Sequence, residues 1–533
     1  MNEGHPGSKT RARCVEAAGL VLLLLLGAAV LYIPKDHVDL VYDSSGYGAQ
    51  SINLALGRGN TVRMGGEDFP GYYPPGYPLL IAPSHWILGY DIRNGIPVNF
   101  FYALLALLGV YFLGRRIAGP VAGAVAVAAL LKSRQFVFAT QHMLSQTPTF
   151  FFLVVSVYLL LLAWEKRRGA WGTAFAAGLI AGLSVFVRNI NVTFAVGMAL
   201  FALLFPTDRE ASRIKGALPA WAGIALAGCM VMAYNAWSYG SPFRTGDMGW
   251  VDMGKRFSPD YFFHPTHTPL GDKPFPPLRS IFGLGPIYPW VVALPAVLGI
   301  PLAWRERRRS PAYFRLYGVT VLTTAVNAFI LAFYFMRSEL YVMLTVPLVL
   351  VCAASTLTLL SRRLHGAGRP RLLQRVPAGT LPLVLAALYL FFYGGPPPCC
   401  AWREEKPPTP NMTLFQAADE IVEPNGVLIS AANPVLAEYV FVKNTDRAYL
   451  FLTRQVSKPL KRLFENELGT GKPTLEAVGN YVKRKLAEGI PVYFMGRLLQ
   501  PSDDRFLYNV FRYLKKRFKL KKTGVSNLFR IVP

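Results

Sequence analysis

Long apolar runs separated by short polar loops dominate this chain. Runs such as Ala18–Ile33, Phe150–Trp164 and Leu340–Leu360 carry almost no charge, and roughly 20 such residues cross bilayer hydrocarbon as one helix. The pattern predicts eleven spans, at residues 15–34, 96–114, 118–132, 142–164, 171–188, 190–206, 216–238, 285–304, 313–334, 339–361 and 377–395. We therefore predict a polytopic α-helical membrane protein whose first apolar run is an uncleaved helix.

Composition agrees with this pattern. The 533 residues are 53% apolar and only 16% charged, which excludes a disordered or collagen-like chain. The formal net charge of +26 is weak evidence for nucleic-acid binding, because cationic loops are the normal topology signal of membrane proteins. The five cysteines show no spacing that is typical of a zinc site.

The basic residues are distributed unevenly between alternate loops. Loops on one side carry 20 of them, whereas the short loops on the other side carry 4. By the positive-inside rule the first side, which includes the N-terminus, faces the cytoplasm. We predict that the protein lies in the cell (inner) membrane. Three long polar segments fall on the outer side, at residues 35–95, 239–284 and 394–533.

The last outer segment has the pattern of a small folded domain. Apolar stretches at Gly426–Ser430 and Pro491–Met495 predict buried strands, and Thr413–Ile421 and Thr474–Ala487 predict amphipathic helices. We therefore divide the chain into a transmembrane domain at 1–395 and an extracytoplasmic α/β domain at 396–533. A basic run at 515–522 fits either a solvated or lipid-facing surface or a docking site for an anionic acceptor.

The first outer loop carries the most chemical information. A carboxylate, Asp43, directly precedes a predicted helical stretch at Ser44–Leu56, and a second apolar stretch at Leu79–Leu88 is too short to cross the membrane. The second stretch fits a helix at the membrane surface. A carboxylate held between two such helices could act as a general base on substrates at the interface. Asp43 could also be an N-cap of the following helix.

Two motifs of this loop resemble the start of the GT-C glycosyltransferases, in particular the dolichyl-phosphate-mannose–protein mannosyltransferase-like family and the lipid A aminoarabinose transferases. They are Asp43-x3-Tyr47-x3-Ser51-x2-Leu54-x2-Gly57-x-Gly59 and Tyr73-Pro74-Pro75-Gly76-Tyr77-Pro78-Leu79-Leu80. Weaker matches continue to about residue 360. The resemblance implies the GT-C fold, with a C-terminal domain outside the membrane.

The resemblance also implies a reaction. These enzymes take a sugar from a polyprenyl-phosphate donor and pass it to a glycan, lipid or protein acceptor on the outer face of the membrane. Asp43 matches their catalytic acidic residue. Two positions depart from the family pattern, because Ser44 and Gln146 stand where many relatives carry Glu.

A lipid phosphate leaving group gains negative charge during this reaction, which fixed cations would stabilise. Arg58, Arg188 and Arg337 are the candidates, since each is predicted on the outer side. An arginine in or at the end of a span is a functional-site hypothesis by default. The alternative is an arginine that extends to the interface, or for Arg58 an ordinary loop residue.

The remaining candidates line the predicted substrate pocket. They are Tyr47, Tyr73, Tyr77, Glu67 and Asp68. The tyrosines would stack on a sugar or form part of the aromatic belt at the headgroups. No cofactor is certain; a divalent metal ion on His264 and His267, with Glu67 or Asp68, is a weak candidate beside simple solvation.

Other functions compete with a sugar transferase. A membrane polysaccharide polymerase or ligase would use the same type of donor. A lipid or sugar transporter usually shows two related halves and polar sites at the middle of its membrane helices, and we find no such repeat in the sequence. A non-catalytic subunit that anchors the basic outer domain is the third alternative.

Overall fold

A computed structural model gives the fold of the chain. It describes residues 6–35, 40, 42–64, 67–165, 169–205, 213–246, 290–332, 343–365, 410–430, 437–442, 446–452, 458–495, 501–525 and 527–533. The helices and strands in these ranges are α1 (Pro6–Leu31), α2 (Tyr42–Ala55), β1 (Thr61–Met64), β2 (Glu67–Pro70), α3 (Gly76–Leu88), α4 (Gly95–Ala118), α5 (Pro120–Lys132), α6 (Arg134–Gln141), α7 (Gln146–Glu165), α8 (Ala170–Val187), α9 (Val192–Leu204), α10 (Arg213–Tyr239), α11 (Trp290–Glu306), α12 (Pro311–Ala332), α13 (Val346–His365), α14 (Pro410–Ile421), β3 (Val427–Ser430), β4 (Ala448–Phe451), α15 (Lys458–Leu468), α16 (Leu475–Ala487), β5 (Val492–Met495), α17 (Pro501–Arg517), β6 (Lys519–Lys522) and β7 (Leu528–Val532).

The apolar runs form helices, which confirms the predicted fold class. Within the described ranges, seven helices are long and apolar enough to cross a membrane, and α5 with α6 forms an eighth if the bent pair is one span. Ten of the eleven predicted spans coincide with a helix. The eleventh, at 377–395, lies outside the described residues. The protein is therefore a multi-pass membrane protein by the length and composition of its helices.

The helices pack through small residues, as membrane helices do. The Cα of Gly123 on α5 lies 2.8 Å from the position that a Cβ at Gly114 on α4 would take. A Cβ at Gly178 on α8 would likewise collide with the backbone of Ala220. A Cβ at Gly197 on α9 would collide with the backbone of Thr323. These helices belong to one compact unit, formed by Met1–Ile33, Ile96–Tyr234 and Met253–Glu404.

A second compact unit gathers the three segments that the sequence predicts on the outer side. It consists of Pro34–Gly95, Asn235–Asp252 and Glu405–Pro533. The predicted alternation of the loops requires these segments to lie on one side of the membrane, and the grouping is consistent with that. The topology itself stays a prediction.

The C-terminal segment contains a five-stranded sheet in the order β4-β3-β5-β7-β6. β3 pairs in parallel with β4 and β5, and β7 pairs antiparallel with β5 and β6. Strands β3 and β5 are fully buried, and both confirm the strands that the sequence predicts. The predicted helices are also confirmed, as α14 and α16. The sheet thus confirms a small α/β domain.

In the first outer loop, α2 and α3 confirm the two predicted helical stretches. A buried polar cluster joins them: Ser51 Oγ lies 2.8 Å from His85 Nε2, and Asn94 Nδ2 lies 3.0 Å from His85 Nδ1. The Ser51 hydroxyl donates to the Gly48 carbonyl oxygen at 2.7 Å. Because the Ser51 proton is bound to that oxygen, we interpret the cluster as a structural contact between α2 and α3 and not as an activated Ser51 nucleophile.

Candidate active site

Asp43 lies in the first turn of α2 and is partly exposed. A negative side chain is stabilised at this position by the helix dipole. Its Oδ1 accepts a hydrogen bond of 2.7 Å from the Tyr73 hydroxyl. The contact joins the two motifs of the first outer loop, which are separated by 30 residues in the sequence. Asp43 therefore lies inside the helix and contacts the second motif.

Three tyrosines of the predicted pocket surround this contact. The ring of Tyr47 lies 4.3 Å from the ring of Tyr73 and 4.8 Å from the ring of Tyr77, between centroids. Tyr47 and Tyr77 are buried, whereas Tyr73 is partly exposed. Of the three, Tyr73 is therefore the one placed to meet a substrate as well as Asp43.

An amide pair that the sequence analysis missed holds the backbone of Tyr73. Gln50 Nε2 donates to the Tyr73 carbonyl oxygen at 2.9 Å, and Gln50 Oε1 accepts from the Tyr73 amide at 3.3 Å. Asn60 Nδ2 donates to the same carbonyl oxygen at 3.1 Å. Spacing could have found Gln50, because it follows Asp43 by seven residues and Tyr47 by three, which puts all three on one helix face.

The surroundings of Tyr73 keep its hydroxyl protonated. Although part of the Tyr73 side chain is exposed, desolvation by its packed surroundings, followed by the negative charge of Asp43, raises the pKa of Tyr73 well above the ordinary value of 10.0. Burial likewise raises the pKa of Tyr77. At physiological pH the Tyr73 phenol is therefore protonated and donates its hydrogen bond to Asp43.

Arg188 lies at a break between two apolar helices. α8 ends at Val187, Arg188 is extended, and α9 begins at Val192. With its amide oriented to satisfy both groups, Gln146 accepts from Arg188 Nη1 at 2.8 Å and Nη2 at 3.1 Å. Gln146, which stands where many relatives carry Glu, thus orients the Arg188 guanidinium with a neutral oxygen.

Buried polar side chains surround this break. Asn191 Nδ2 donates to Thr149 Oγ1 at 3.0 Å and to the Ser184 carbonyl oxygen at 2.7 Å. Thr193 Oγ1 donates to Asn327 Oδ1 at 3.0 Å. Buried polar groups require such partners, so the break between α8 and α9 is fixed by side chains from two neighbouring helices, α7 and α12.

The structure gives no support for a phosphate role to the other two arginine candidates. Arg58 is exposed beyond the far end of α2, and the helix rise of 1.5 Å per residue separates the two ends by about 18 Å. Arg337 lies outside the described residues. A role in phosphate binding stays a prediction for both.

Glu67 and Asp68 lie on the strand β2, which pairs with β1 in a hairpin that we did not predict. Glu67 Oε1 accepts from Asn466 Nδ2 at 2.9 Å, and its Oε2 lies 3.3 Å from Arg462 Nε. Asp68 is exposed opposite Arg63. In the structure Glu67 therefore connects the hairpin to α15. Tyr73 and Tyr77 follow the open end of the hairpin, where β2 ends at Pro70.

No metal site is evident in the part of the chain that the structure describes, where no three His, Cys, Asp or Glu side chains converge. The weak candidates His264 and His267 lie outside that part.

Comparison with known proteins supports the resemblance found in the sequence. Residues 73–237 match the family described as dolichyl-phosphate-mannose-protein mannosyltransferase. No curated protein sequence matches the chain. Among solved structures, ArnT from Cupriavidus metallidurans bound to undecaprenyl phosphate is similar with a TM-score of 0.62 and 12% identity, over 98% of each chain. Apo ArnT from the same organism gives a TM-score of 0.59 at 12% identity, also over 98% of each chain.

The chain therefore has the fold of these solved structures, and this confirms the GT-C fold that the resemblance implies. The family match begins at Tyr73, the residue that contacts Asp43. It also includes Gln146 and Arg188.

Proposed function

We propose that the protein is a membrane glycosyltransferase that moves a sugar from a polyprenyl-phosphate donor to an acceptor hydroxyl on the outer face of the membrane. The observation that carries the proposal is the Asp43–Tyr73 contact within a GT-C fold. ArnT, which is similar over 98% of its chain, was crystallised with undecaprenyl phosphate, and this supports a polyprenyl-phosphate donor here.

In the proposed reaction Asp43 is the general base. It removes the proton of the acceptor hydroxyl as the oxygen attacks the anomeric carbon of the sugar. The bond from that carbon to the phosphate oxygen breaks, and polyprenyl phosphate leaves with the bonding electrons. A single displacement opposite the phosphate inverts the anomeric centre. A positioned base contributes about 10²–10⁴-fold to such a step.

Arg188 is the proposed phosphate ligand in the described part of the chain. Its guanidinium is oriented by the neutral oxygen of Gln146, and a planar guanidinium fork matches the oxygens of a phosphate. We extend the same role to Arg337, for which the sequence position is the argument. Arg337→Lys would keep the charge and lose the fork, so transfer should fall strongly while membrane insertion holds.

The proposal requires the unit that contains Asp43 to lie outside the cytoplasm. The loop 469–472 between α15 and α16 is accessible for a tag, since Gly469 and Lys472 are exposed. A reporter inserted there should read as extracytoplasmic. A cytoplasmic signal would remove Asp43 from the outer face.

The activity itself is tested with purified protein in vesicles and a panel of polyprenyl-phosphate sugars. Mass spectrometry should detect release of polyprenyl phosphate and a glycosylated acceptor. The acceptor panel is chosen from the envelope glycans and lipids that change when the gene is deleted. Asp43→Asn, which keeps the shape and removes the basicity, is the matched control. Equal product from the parent and from Asp43→Asn would contradict the proposal.

A further inference from the structure

Tyr73 is held at three points by one face of α2. Asp43 accepts from its hydroxyl, the Tyr47 ring stacks on its ring, and the Gln50 amide binds both its backbone N–H and its carbonyl oxygen. These three residues are spaced i, i+4 and i+7, which is the spacing of one helix face. The position of the Tyr73 hydroxyl relative to Asp43 is therefore fixed from both ends of the side chain.

Two further contacts fix the backbone near Tyr73. Asn60 Oδ1 accepts from Gln50 Nε2 at 2.6 Å, and its main-chain oxygen accepts from the Gly71 amide at 2.8 Å. On the other side, Gly46 leaves the space that the Tyr73 ring occupies, because a Cβ at residue 46 would collide with that ring. Asp43 itself has far less support, since it lies in the first turn of its helix.

We infer that Tyr73 is the positioning residue for Asp43: its hydroxyl holds Oδ1 and thereby turns Oδ2 toward the acceptor. The inference rests on the proposed function of Asp43. A carboxylate in a first helical turn has several rotamers, and a fixed donor selects one of them.

Two substitutions at Tyr73 test this role. Tyr73→Phe removes only the hydroxyl, and we expect the donor-saturated rate to fall about 10–100-fold, the worth of a hydrogen bond to a charged group. The donor KM should hold, because the hydroxyl orients the base and does not bind the donor. A 3-fluorotyrosine at position 73 keeps the hydroxyl donor, and we expect it to restore the donor-saturated rate to within a few-fold of the parent.

Tyr90→Phe is the matched control, because it removes a phenol from an exposed position of the same loop. It should leave both the donor-saturated rate and the donor KM unchanged. A Tyr73→Phe rate within a few-fold of the parent, or a 3-fluorotyrosine protein as slow as Tyr73→Phe, would overturn the inference. An Asp43→Asn protein that remains active would overturn the proposed function instead, so the two failures are distinguishable.

Discussion

The site at Asp43 and the site at Arg188 each hold one charged side chain in a fixed direction, and the two charges are opposite in sign. Asp43 is a carboxylate in a first helical turn, held by the hydroxyl of Tyr73. Arg188 is a guanidinium at a break between helices, held by the amide of Gln146. In both, a neutral partner fixes the direction of a charged group.

The difference lies in the surroundings. Aromatic rings pack around the Asp43–Tyr73 contact, and the Gln50 amide binds the backbone of Tyr73. Hydroxyls and amides of several elements fill the region around Arg188. A base acts on one proton and needs a fixed direction, whereas a phosphate ligand needs a positive charge among polar neighbours. The contrast fits the proposed division of roles, with proton transfer at Asp43 and donor binding at Arg188.

The largest effect among the partner residues should come from removing the amide partner of Arg188. Gln146→Leu removes the oxygen that orients the guanidinium, so the donor Kd should rise about 10–100-fold, the worth of one hydrogen-bonded contact to a charged group. The effect is measured by donor titration. In an Arg188→Gln background the same substitution should change much less. An equal rise in both backgrounds would mean that Gln146 acts on a group other than Arg188.

A smaller effect should follow from disturbing the tyrosine side of the comparison. Gly46→Ala places a methyl group where the Tyr73 ring lies, so the ring must shift and the donor-saturated rate should fall about tenfold. Donor binding should hold. Gly19→Ala is the control, because a Cβ at that helical glycine meets no atom within 4 Å. A rate for Gly46→Ala equal to that of the control would show that Tyr73 tolerates displacement.

The smallest effect on the transfer rate should come from weakening the apolar packing between α15 and the β1–β2 hairpin. Leu463 on α15 packs with Val62, Met64 and Phe69, and Leu→Ala in such a cluster costs about 2–5 kcal/mol locally. Leu463→Ala should raise amide exchange in β1 and β2 and change the transfer rate only a few-fold. Trp86→Ala, which removes an exposed side chain of α3, should leave exchange in the hairpin unchanged. Unchanged exchange in Leu463→Ala would separate the C-terminal segment from the site.

The sequence was most informative where one physical constraint dominates. Membrane helices were predictable because about 20 apolar residues have few other uses. The buried strands β3 and β5 were predictable for a similar reason. The strands β6 and β7 were not predicted, since four of their residues are lysine or arginine and their pattern is weak.

The site was only partly predictable. The motifs named Asp43 and the tyrosines, but not the amides Gln50 and Asn60, whose role depends on a backbone that returns to α2. The hairpin had a signal, because Gly65-Gly66 separates two short strands in the way of a two-residue turn. The partners of Glu67, Arg462 and Asn466, were not predictable because they lie almost 400 residues away in the sequence, and the role of Glu67 in the pocket stays a prediction.

The most direct test measures the single-turnover rate and the donor Kd on the same preparations of the parent, Asp43→Asn and Arg188→Gln. We expect Asp43→Asn to lose about 10²–10⁴-fold in rate at saturating donor, the contribution of a general base, with the donor Kd unchanged. Arg188→Gln should instead weaken donor binding. An Asp43→Asn enzyme that turns over within a few-fold of the parent would contradict the account and would move the base to another carboxylate.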